Sequence, residues 1–332
     1  GGPVADGRLA PEETRGRGRS VVPAPFTLKS QVFFLSSRPV EKNLRRTLEY
    51  SARFRVVSAA PLRRVGAFLA GARGQTPFNL VPLDAMLNDR LERIGDYPFD
   101  RLRALLGPVE PRAGVTPVSL ALGEPQHTPP DIIRTTVEAN AHLWSKYPPM
   151  AGTPEARRAI AGWLTRRYGL PPDMIQPDAN IVPVSGTREA LFLLALAAVP
   201  ERKAGKRPVV LMPNPFYQVY LGAAVLAGAE PVFLPATKET GFLPDLAAVP
   251  QDILDRTAML YYCSPANPQG MFADSETLKN LVRLARSYDF LLVSDECYSE
   301  IYHREPPGGA AAACAALGGG LGWCSAMFSS QL

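Results

Sequence analysis

Short apolar runs alternate with longer amphipathic runs along the chain from about residue 115 onward. The apolar runs are bounded by Gly, Pro, Asn or Asp, a pattern typical of strands that are covered on both faces. It predicts strands over residues 180–186, 207–216, 230–236, 257–265 and 290–296. The regularity begins earlier with helical periodicity near Met86, where leucines recur through residue 106.

The segments between the predicted strands have the period of helices. In residues 274–289 the apolar positions fall on one face, and Asp274 can cap the first turn. Further helices are predicted over 187–199 and 217–229. Repeated strand–helix units favour a mainly parallel sheet with right-handed crossovers. The predicted fold class is therefore α/β, a large domain with helices on both faces of the sheet and part of a small domain.

Charge separates the first quarter of the chain from the rest. Residues 15–83 carry thirteen Lys or Arg against two Glu, whereas residues 84–332 carry a net charge of −4. Residues 1–85 also lack a sustained period and are rich in Gly, Pro, Ala and Arg. We expect a basic extension that is disordered or non-native. An Arg-rich organelle transit peptide is the alternative.

The remaining domain boundaries follow from the same pattern. Residues 86–114 are predicted to be a helical arm or small-domain part, residues 115–310 the large domain, and residues 311–332 an aberrant tail without regular structure. No apolar stretch is long enough to span a membrane. The four cysteines have no metal-ligand spacing, which favours free thiols in a cytoplasmic, reducing compartment and no metal site.

The stretch "FLLVSDECYSEIY" (290–302) sends a buried strand into two adjacent carboxylates, Asp295 and Glu296, followed by Tyr298 and Tyr302. Ligands of open parallel α/β sheets bind at the carboxyl ends of the strands. A carboxylate there can pair with a protonated ring nitrogen and keep it cationic. The alternative is an ordinary loop start or helix cap.

Three other predicted strand ends carry groups suited to a ligand. "SGTRE" (185–189) opens a helix with Ser185, Gly186 and Thr187, a candidate anion site. "PNPFYQVY" supplies Tyr217, and "SPANPQG" is a rigid turn that presents Asn267. A helix cap, core packing and a structural turn are the respective alternatives. Neither a GxGxxG run after a strand nor a P-loop is present.

Taken in order, these four motifs resemble the class I and II pyridoxal-phosphate aminotransferases of fold type I, over about residues 86–310. The resemblance implies the cofactor pyridoxal 5'-phosphate and makes residues 115–310 the domain that binds it. Contacts to that cofactor are implied at every one of the strand ends: Gly186, Thr187 and Arg188 on the phosphate, Tyr217 on the ring, Asn267 and Tyr298 on the phenolic oxygen, and Asp295 on the pyridine nitrogen.

Two segments nearer the amino terminus extend the resemblance. "SLALGEP" (119–125) is similar to the segment that approaches the substrate, which implies that Gly123 lies near the substrate carboxylate. "KYPPMAGTPEARRAIA" (146–161) is similar to the Tyr-x4-Gly segment, which implies that Tyr147 reaches the phosphate in a partner subunit and that the protein is a homodimer. The implied small-molecule partners are an amino acid and a keto acid, with no nucleic acid and no membrane.

Within the family, "YPFDRLRALL" followed by "LGEPQHTPP" is most similar to bacterial succinyldiaminopimelate aminotransferases. That narrower resemblance implies lysine biosynthesis, with glutamate as amino donor and N-succinyl-2-amino-6-oxopimelate as acceptor. Aspartate, alanine and aromatic aminotransferases remain open.

One element of the family's chemistry is missing from the sequence. The reaction uses a lysine that holds the cofactor and moves the substrate proton, in a Ser-x-x-Lys setting beyond the Asp-x-x-Tyr segment. No lysine follows Lys279, and Lys279 itself lies in an amphipathic helix where a solvated position is expected. Asp295 and Tyr298 are the catalytic candidates that remain. We expect that this chain, a truncated relative, does not complete transamination.

Three other functions compete with this interpretation. A DNA-binding regulator built on an aminotransferase-like domain would need a helix-turn-helix, which residues 1–85 do not show. A lyase or decarboxylase could use the same fold and cofactor, because a fold does not fix a reaction. A non-catalytic remnant with uncovered apolar surface is the third.

Overall fold

The computed structural model describes residues 31–34, 88–110, 113–116, 118, 127–318, 320–322 and 324–328. Within them a seven-stranded sheet has the order β2-β1-β7-β6-β5-β3-β4. The strands are β1 (Gln31–Phe34), β2 (Ile181–Val184), β3 (Val209–Asn214), β4 (Glu230–Pro235), β5 (Thr257–Cys263), β6 (Leu291–Asp295) and β7 (Cys324–Phe328). β1 is antiparallel to both of its neighbours, and the other pairings are parallel. The five strands predicted from the sequence are all present.

Helices cover both faces of this sheet. In chain order they are α1 (Pro98–Leu106), α2 (Asp131–Ala139), α3 (Pro154–Tyr168), α4 (Pro177–Asn180), α5 (Thr187–Ala198), α6 (Gln218–Leu226), α7 (Gln251–Asp255), α8 (Ser275–Tyr288) and α9 (Ala310–Ala316), with 3₁₀ helices at Asp89–Arg93 and Ala141–Ser145. α8 is the helix predicted over 274–289: the Asp274 side chain accepts a hydrogen bond from the Thr277 amide at 2.8 Å. Its apolar face is buried, as the periodicity predicts.

The core is divided by the sheet into two hydrophobic clusters. One contains Leu292 of β6 together with buried residues of α3, α8 and α9. The other contains the next residue, Val293, together with buried residues of α5 and α6. Successive side chains of a strand point to opposite faces, so these two neighbours assign the helices to opposite layers. The predicted three-layer α/β architecture is confirmed.

Three elements lie in or next to segments where the sequence predicts no regular structure. α9 and β7 fall in or next to the segment 311–332, and β7 pairs in parallel with β6. α9 is buried along most of its length, so its alanines show no amphipathic period even though alanine is a strong helix former. β1 falls inside the predicted extension 1–85 and separates β2 from β7. The domain boundaries otherwise remain predictions.

The segment before the large domain is helical, as its periodicity indicates, but its apolar face is exposed. Leu105 of α1 is 73% exposed. The preceding 3₁₀ helix contacts the large domain through Arg90, whose guanidinium donates to the Leu226 carbonyl at 2.7 Å. None of the helices in the described residues is long and apolar enough to cross a membrane.

Candidate active site

The predicted ligand-binding segments meet at one edge of the sheet. All described strands other than β1 run in the same direction, so their carboxyl ends lie together. β2 leads into α5, β3 into α6, β5 into the turn at Asn267, and β6 into the turn at Tyr298. This edge is the place where open α/β sheets bind ligands.

Asp295 ends β6 and is buried, with 5% of its surface exposed. Its Oδ2 atom accepts a hydrogen bond from the Tyr220 hydroxyl at 2.5 Å, and Oδ1 lies 3.3 Å from the Cys297 amide. The Tyr220 ring is stacked on Tyr261, with centroids 4.3 Å apart. Burial and the Asp295 carboxylate raise the pKa of Tyr220, so its hydroxyl remains a donor.

The start of α5 faces the Tyr217 side chain. Gly186 is the N-cap and provides no side-chain cap, because it has no side chain to offer. Arg188 in the first turn donates from Nε to the Tyr217 hydroxyl at 2.9 Å, which raises the pKa of the guanidinium. The Thr187 hydroxyl lies 3.8 Å from the Cys297 sulfur, so the helix start also contacts the segment that follows Asp295.

Asn267 and Tyr298 form a second polar pair. The Asn267 amide donates from Nδ2 to the Tyr298 hydroxyl at 3.0 Å. Asn267 is exposed and Tyr298 is half-buried. Burial raises the pKa of the Tyr298 phenol, so it stays protonated near neutral pH. Two hydrogen-bonding groups from different strand ends are thus held side by side.

A chain of contacts joins the strand ends. Arg188 is hydrogen-bonded to Tyr217, whose ring lies edge-on to Tyr220 at 5.8 Å, and Tyr220 is hydrogen-bonded to Asp295. Tyr298 lies three residues after Asp295, and its hydroxyl is hydrogen-bonded to Asn267. The edge therefore presents a cation at a helix start, an aromatic ring, an amide–phenol pair and a buried carboxylate.

This donor set fits a phosphorylated pyridine. A helix start with an arginine suits a phosphate, and a buried carboxylate suits a protonated ring nitrogen. Only one Asp295 oxygen has a short hydrogen bond within the described residues, which leaves the other available to a cationic N–H. The amide–phenol pair suits a phenolic oxygen.

Other predicted site residues lie apart from this chain of contacts. Tyr147 precedes α3 and is fully exposed. Gly123 lies outside the described residues. Helix α3 itself begins just beyond Gly152, which packs so closely on Pro183 of β2 that an added Cβ would lie 2.6 Å from the ring.

Two residues at this edge were given no role in the sequence analysis. Tyr220 lies three positions after Tyr217, a spacing that puts two side chains on neighbouring parts of a helix surface and could have revealed the pair. Glu296 is buried against the layer opposite to Tyr220. Burial and the Asp295 carboxylate raise the pKa of the nearby Cys263 thiol to about 12.

An α/β sheet with such an edge defines a class of cofactor-dependent proteins, and comparison with known proteins identifies the family. The family described as aminotransferase class I and II matches residues 116–322, more than half of the chain. The chain belongs to this family, whose members use pyridoxal 5'-phosphate. The α/β fold and the family resemblance drawn from the four motifs are both confirmed.

Relatives and solved structures agree with this assignment. The LL-diaminopimelate aminotransferase of Desulforudis audaxviator is 36% identical over 214 residues, which are 64% of this chain and 52% of the relative. An aminotransferase structure from Neisseria meningitidis is 36% identical with a TM-score of 0.67, covering 73% of this chain and 61% of that one. One from Helicobacter pylori is 33% identical with a TM-score of 0.64, covering 71% and 60%.

The chain spans about half the length of the curated relatives it matches. Those relatives are named LL-diaminopimelate aminotransferases, not enzymes of the succinyl type. The narrower sequence resemblance is therefore not supported by them, whereas the wider one to aminotransferases is.

Proposed function

We propose that this chain binds pyridoxal 5'-phosphate at the carboxyl edge of its sheet, as part of an enzyme that transfers an amino group between an amino acid and a keto acid. The observation that carries the proposal is the chain of contacts from Arg188 through Tyr217 and Tyr220 to the buried Asp295. Membership of the aminotransferase family supports the same reaction class.

Each polar group at the edge has a role in this proposal. Gly186, Thr187 and Arg188 hold the phosphate, because the first turn of α5 combines backbone amides with a guanidinium. Tyr217 packs on the ring. Asn267 and Tyr298 bind the phenolic oxygen as the pair in which they already lie.

Asp295 holds the proton on the ring nitrogen. A buried carboxylate favours a neighbouring cation more strongly than it would in water, because the local dielectric is low. The cofactor, when bound, supplies an electron sink for negative charge on the amino acid's α-carbon. Protonation of the nitrogen strengthens that sink, so the position of Asp295 controls the chemistry.

The described lysines near the sheet are engaged elsewhere. Lys203 donates to the Tyr288 carbonyl at 2.8 Å, and Lys279 pairs with Glu276 at 3.5 Å. Binding is therefore best tested with pyridoxamine 5'-phosphate, which has an amine in place of the aldehyde and needs no lysine to be held.

For the substrate we propose a diamino dicarboxylic acid of the diaminopimelate type, with a role in lysine biosynthesis. The names of the related enzymes support the free LL-diaminopimelate form over the N-succinyl form that the sequence segments suggest. The two forms are distinguished by thermal shifts of the cofactor-loaded chain with each compound. A larger shift with the N-succinyl compound would reverse the choice.

We also propose a homodimer in which Tyr147 contacts the partner subunit's phosphate site. The support is the exposed apolar surface around it: Trp144 is 74% exposed and Met150 is 71% exposed. Both side chains lie within three positions of Tyr147 in the sequence, and large exposed apolar patches mark interaction sites. Light scattering tests the proposal, since Trp144→Lys should convert a dimer to a monomer. The unpaired thiols of Cys263 and Cys297 fit a cytoplasmic location.

The experiment that tests cofactor binding is a titration of the 332-residue chain with pyridoxamine 5'-phosphate, followed by tyrosine fluorescence. Arg188→Gln and Asn267→Ala should each weaken binding by about tenfold, the usual scale for one lost charge-assisted hydrogen bond. Arg283→Gln is the control, because Arg283 pairs with Glu276 on the exposed face of α8. Equal affinity in all four proteins would refute the proposed site.

A further inference from the structure

Glu296 is a second carboxylate at the end of β6, and it faces away from Asp295. It is 1% exposed and receives three hydrogen bonds. The donors are the Ser294 hydroxyl at 2.7 Å, the Ala310 amide at 2.8 Å and the Tyr168 hydroxyl at 2.8 Å. They come from β6, α9 and α3, so one carboxylate joins three elements.

We propose that Glu296 and Tyr168 are positioning residues for the cofactor site. They fix the segment 295–299, which carries Asp295 on one side of Glu296 and Tyr298 on the other. This inference rests on the proposed function, in which those two residues hold the ring nitrogen and the phenolic oxygen. Neither Glu296 nor Tyr168 touches the cofactor in the proposal.

The neighbouring Arg167 strengthens the same connection. Its guanidinium donates to the Ser299 carbonyl at 3.1 Å and to the Pro307 carbonyl at 3.2 Å, and it pairs with Glu300 at 2.7 Å. The Arg167 side chain is only 11% exposed. Arg167 and Tyr168, the last two residues of α3, therefore contact residues near both ends of the segment 296–309.

The packing at this point leaves no free space. A Cβ atom at Gly309 would lie 2.4 Å from the Tyr168 ring and 2.6 Å from Glu296 Oε2. The backbone φ of Gly309 is −135°, so glycine is required by the close approach and not by backbone conformation. Tyr168 and the carboxylate are consequently confined between α3 and the start of α9.

Confinement of Glu296 also restrains the proposed cofactor site, because the side chains on the two faces of β6 share one backbone. Glu296 cannot shift along the sheet without moving Asp295, its immediate neighbour, and the Cys297 amide that contacts Asp295 Oδ1. A misplacement of about 1 Å in a catalytic group is enough to cost orders of magnitude in rate. The hydrogen bonds of Glu296 on one face of the sheet thus fix the position of Asp295 on the other face.

The test compares Tyr168→Phe with Tyr262→Phe. Both tyrosines belong to the same hydrophobic layer, and each substitution removes one buried hydroxyl. The Tyr262 hydroxyl has no hydrogen-bond partner within the part of the chain that the structure describes. We expect Tyr168→Phe to weaken pyridoxamine 5'-phosphate binding by about tenfold and Tyr262→Phe to leave it within about twofold.

A second pair separates positioning from simple folding. Glu296→Gln can keep all three contacts, because its carbonyl oxygen accepts from Ser294 and Ala310 and its amide donates to the Tyr168 hydroxyl. Glu296→Leu fills the space and loses them. Affinity should be retained in the first variant and lost in the second, although both remain folded by circular dichroism. Equal affinities in folded Glu296→Leu and wild type would overturn the proposal.

Hydrogen–deuterium exchange gives the same comparison without any ligand. Peptides covering residues 295–303 should exchange faster in Tyr168→Phe than in wild type or Tyr262→Phe. If wild type binds no pyridoxamine 5'-phosphate, the proposed function fails, and the exchange rates still decide whether Tyr168 and Glu296 fix the segment. Unchanged exchange in Tyr168→Phe would contradict the positioning role.

Discussion

The Tyr220 hydroxyl donates a hydrogen bond to Asp295 Oδ2 at 2.5 Å, from a helix on one face of the sheet to the end of a strand within it. Both side chains are buried. The bond fixes the rotation of the carboxylate, so that Oδ1 is the oxygen left for a ligand. Tyr220 also contacts the Tyr217 ring edge-on, so one side chain links Tyr217 to the Asp295 carboxylate.

Replacement of Tyr220 by phenylalanine should destabilise the fold. The substitution removes the short hydrogen bond to Asp295 and leaves it the weaker 3.3 Å contact from the Cys297 amide, and a buried charge that loses a donor costs about 1–3 kcal/mol. Urea denaturation measures the change. Tyr262→Phe is the matched control, with an expected change near zero, and equal stability of the two variants would contradict the role of the bond.

Gly309→Ala should be strongly destabilising, whereas Gly222→Ala should not. At Gly309 the added Cβ would overlap Tyr168 and Glu296, and overpacking of this kind costs about 1–3 kcal/mol. At Gly222, inside α6, a Cβ meets nothing within 4 Å, and alanine in a helix gains about 0.5–1 kcal/mol over glycine. Thermal unfolding of both variants checks the pair. A tolerated Gly309→Ala would show that the contact is not tight.

The stability contributed by Glu296 should fall as pH rises. Burial raises the pKa of this carboxyl above its ordinary value, so the folded state holds the proton more tightly than the unfolded state does. The contribution is fully present below the unfolded pKa and is lost as pH rises through the folded pKa. The unfolding free energy of wild type relative to Glu296→Gln should therefore be higher at about pH 4 than at about pH 7. A difference independent of pH would contradict this.

The thiols beside Asp295 should react slowly with alkylating reagents. The pKa of Cys263 is raised to about 12 by burial and by the Asp295 carboxylate, and the pKa of Cys297 is raised by the same causes. The thiolate is the reactive form, so little of it is present at about pH 8. Peptide mapping after iodoacetamide treatment should show modification of Cys263 and Cys297 only after the protein has been denatured. Rapid labelling of either cysteine in the folded chain would be inconsistent with these surroundings.

The sequence predicts the parts of the fold that carry periodic patterns. α8 is found because its apolar positions recur on one face, and β6 because a short apolar run ends at Asp295. α9 is not predicted, since a helix buried on most sides has no amphipathic period, and β7 beyond it is not predicted either. β1 is not predicted because four residues in a basic segment are too short to show a pattern.

The candidate site divides in the same way. Asn267 and Asp295 could be predicted as site residues because each is a polar residue at or just beyond the end of a predicted strand. The role of Glu296 could not be predicted, because a carboxylate is ordinarily expected at the surface and only the fold brings Tyr168, more than a hundred positions earlier, to its oxygen. Long-range hydrogen bonds of this kind leave no local signal in a sequence.

The most direct test of the account is the protonation state of the ring nitrogen in bound pyridoxamine 5'-phosphate, measured by the ¹⁵N chemical shift of a labelled ligand. At a pH where the free ligand is neutral at this nitrogen, the wild-type chain should hold it protonated, and Asp295→Asn should bind it neutral. A protonated nitrogen in both proteins, or a neutral one in both, would contradict the pairing of Asp295 with the ring.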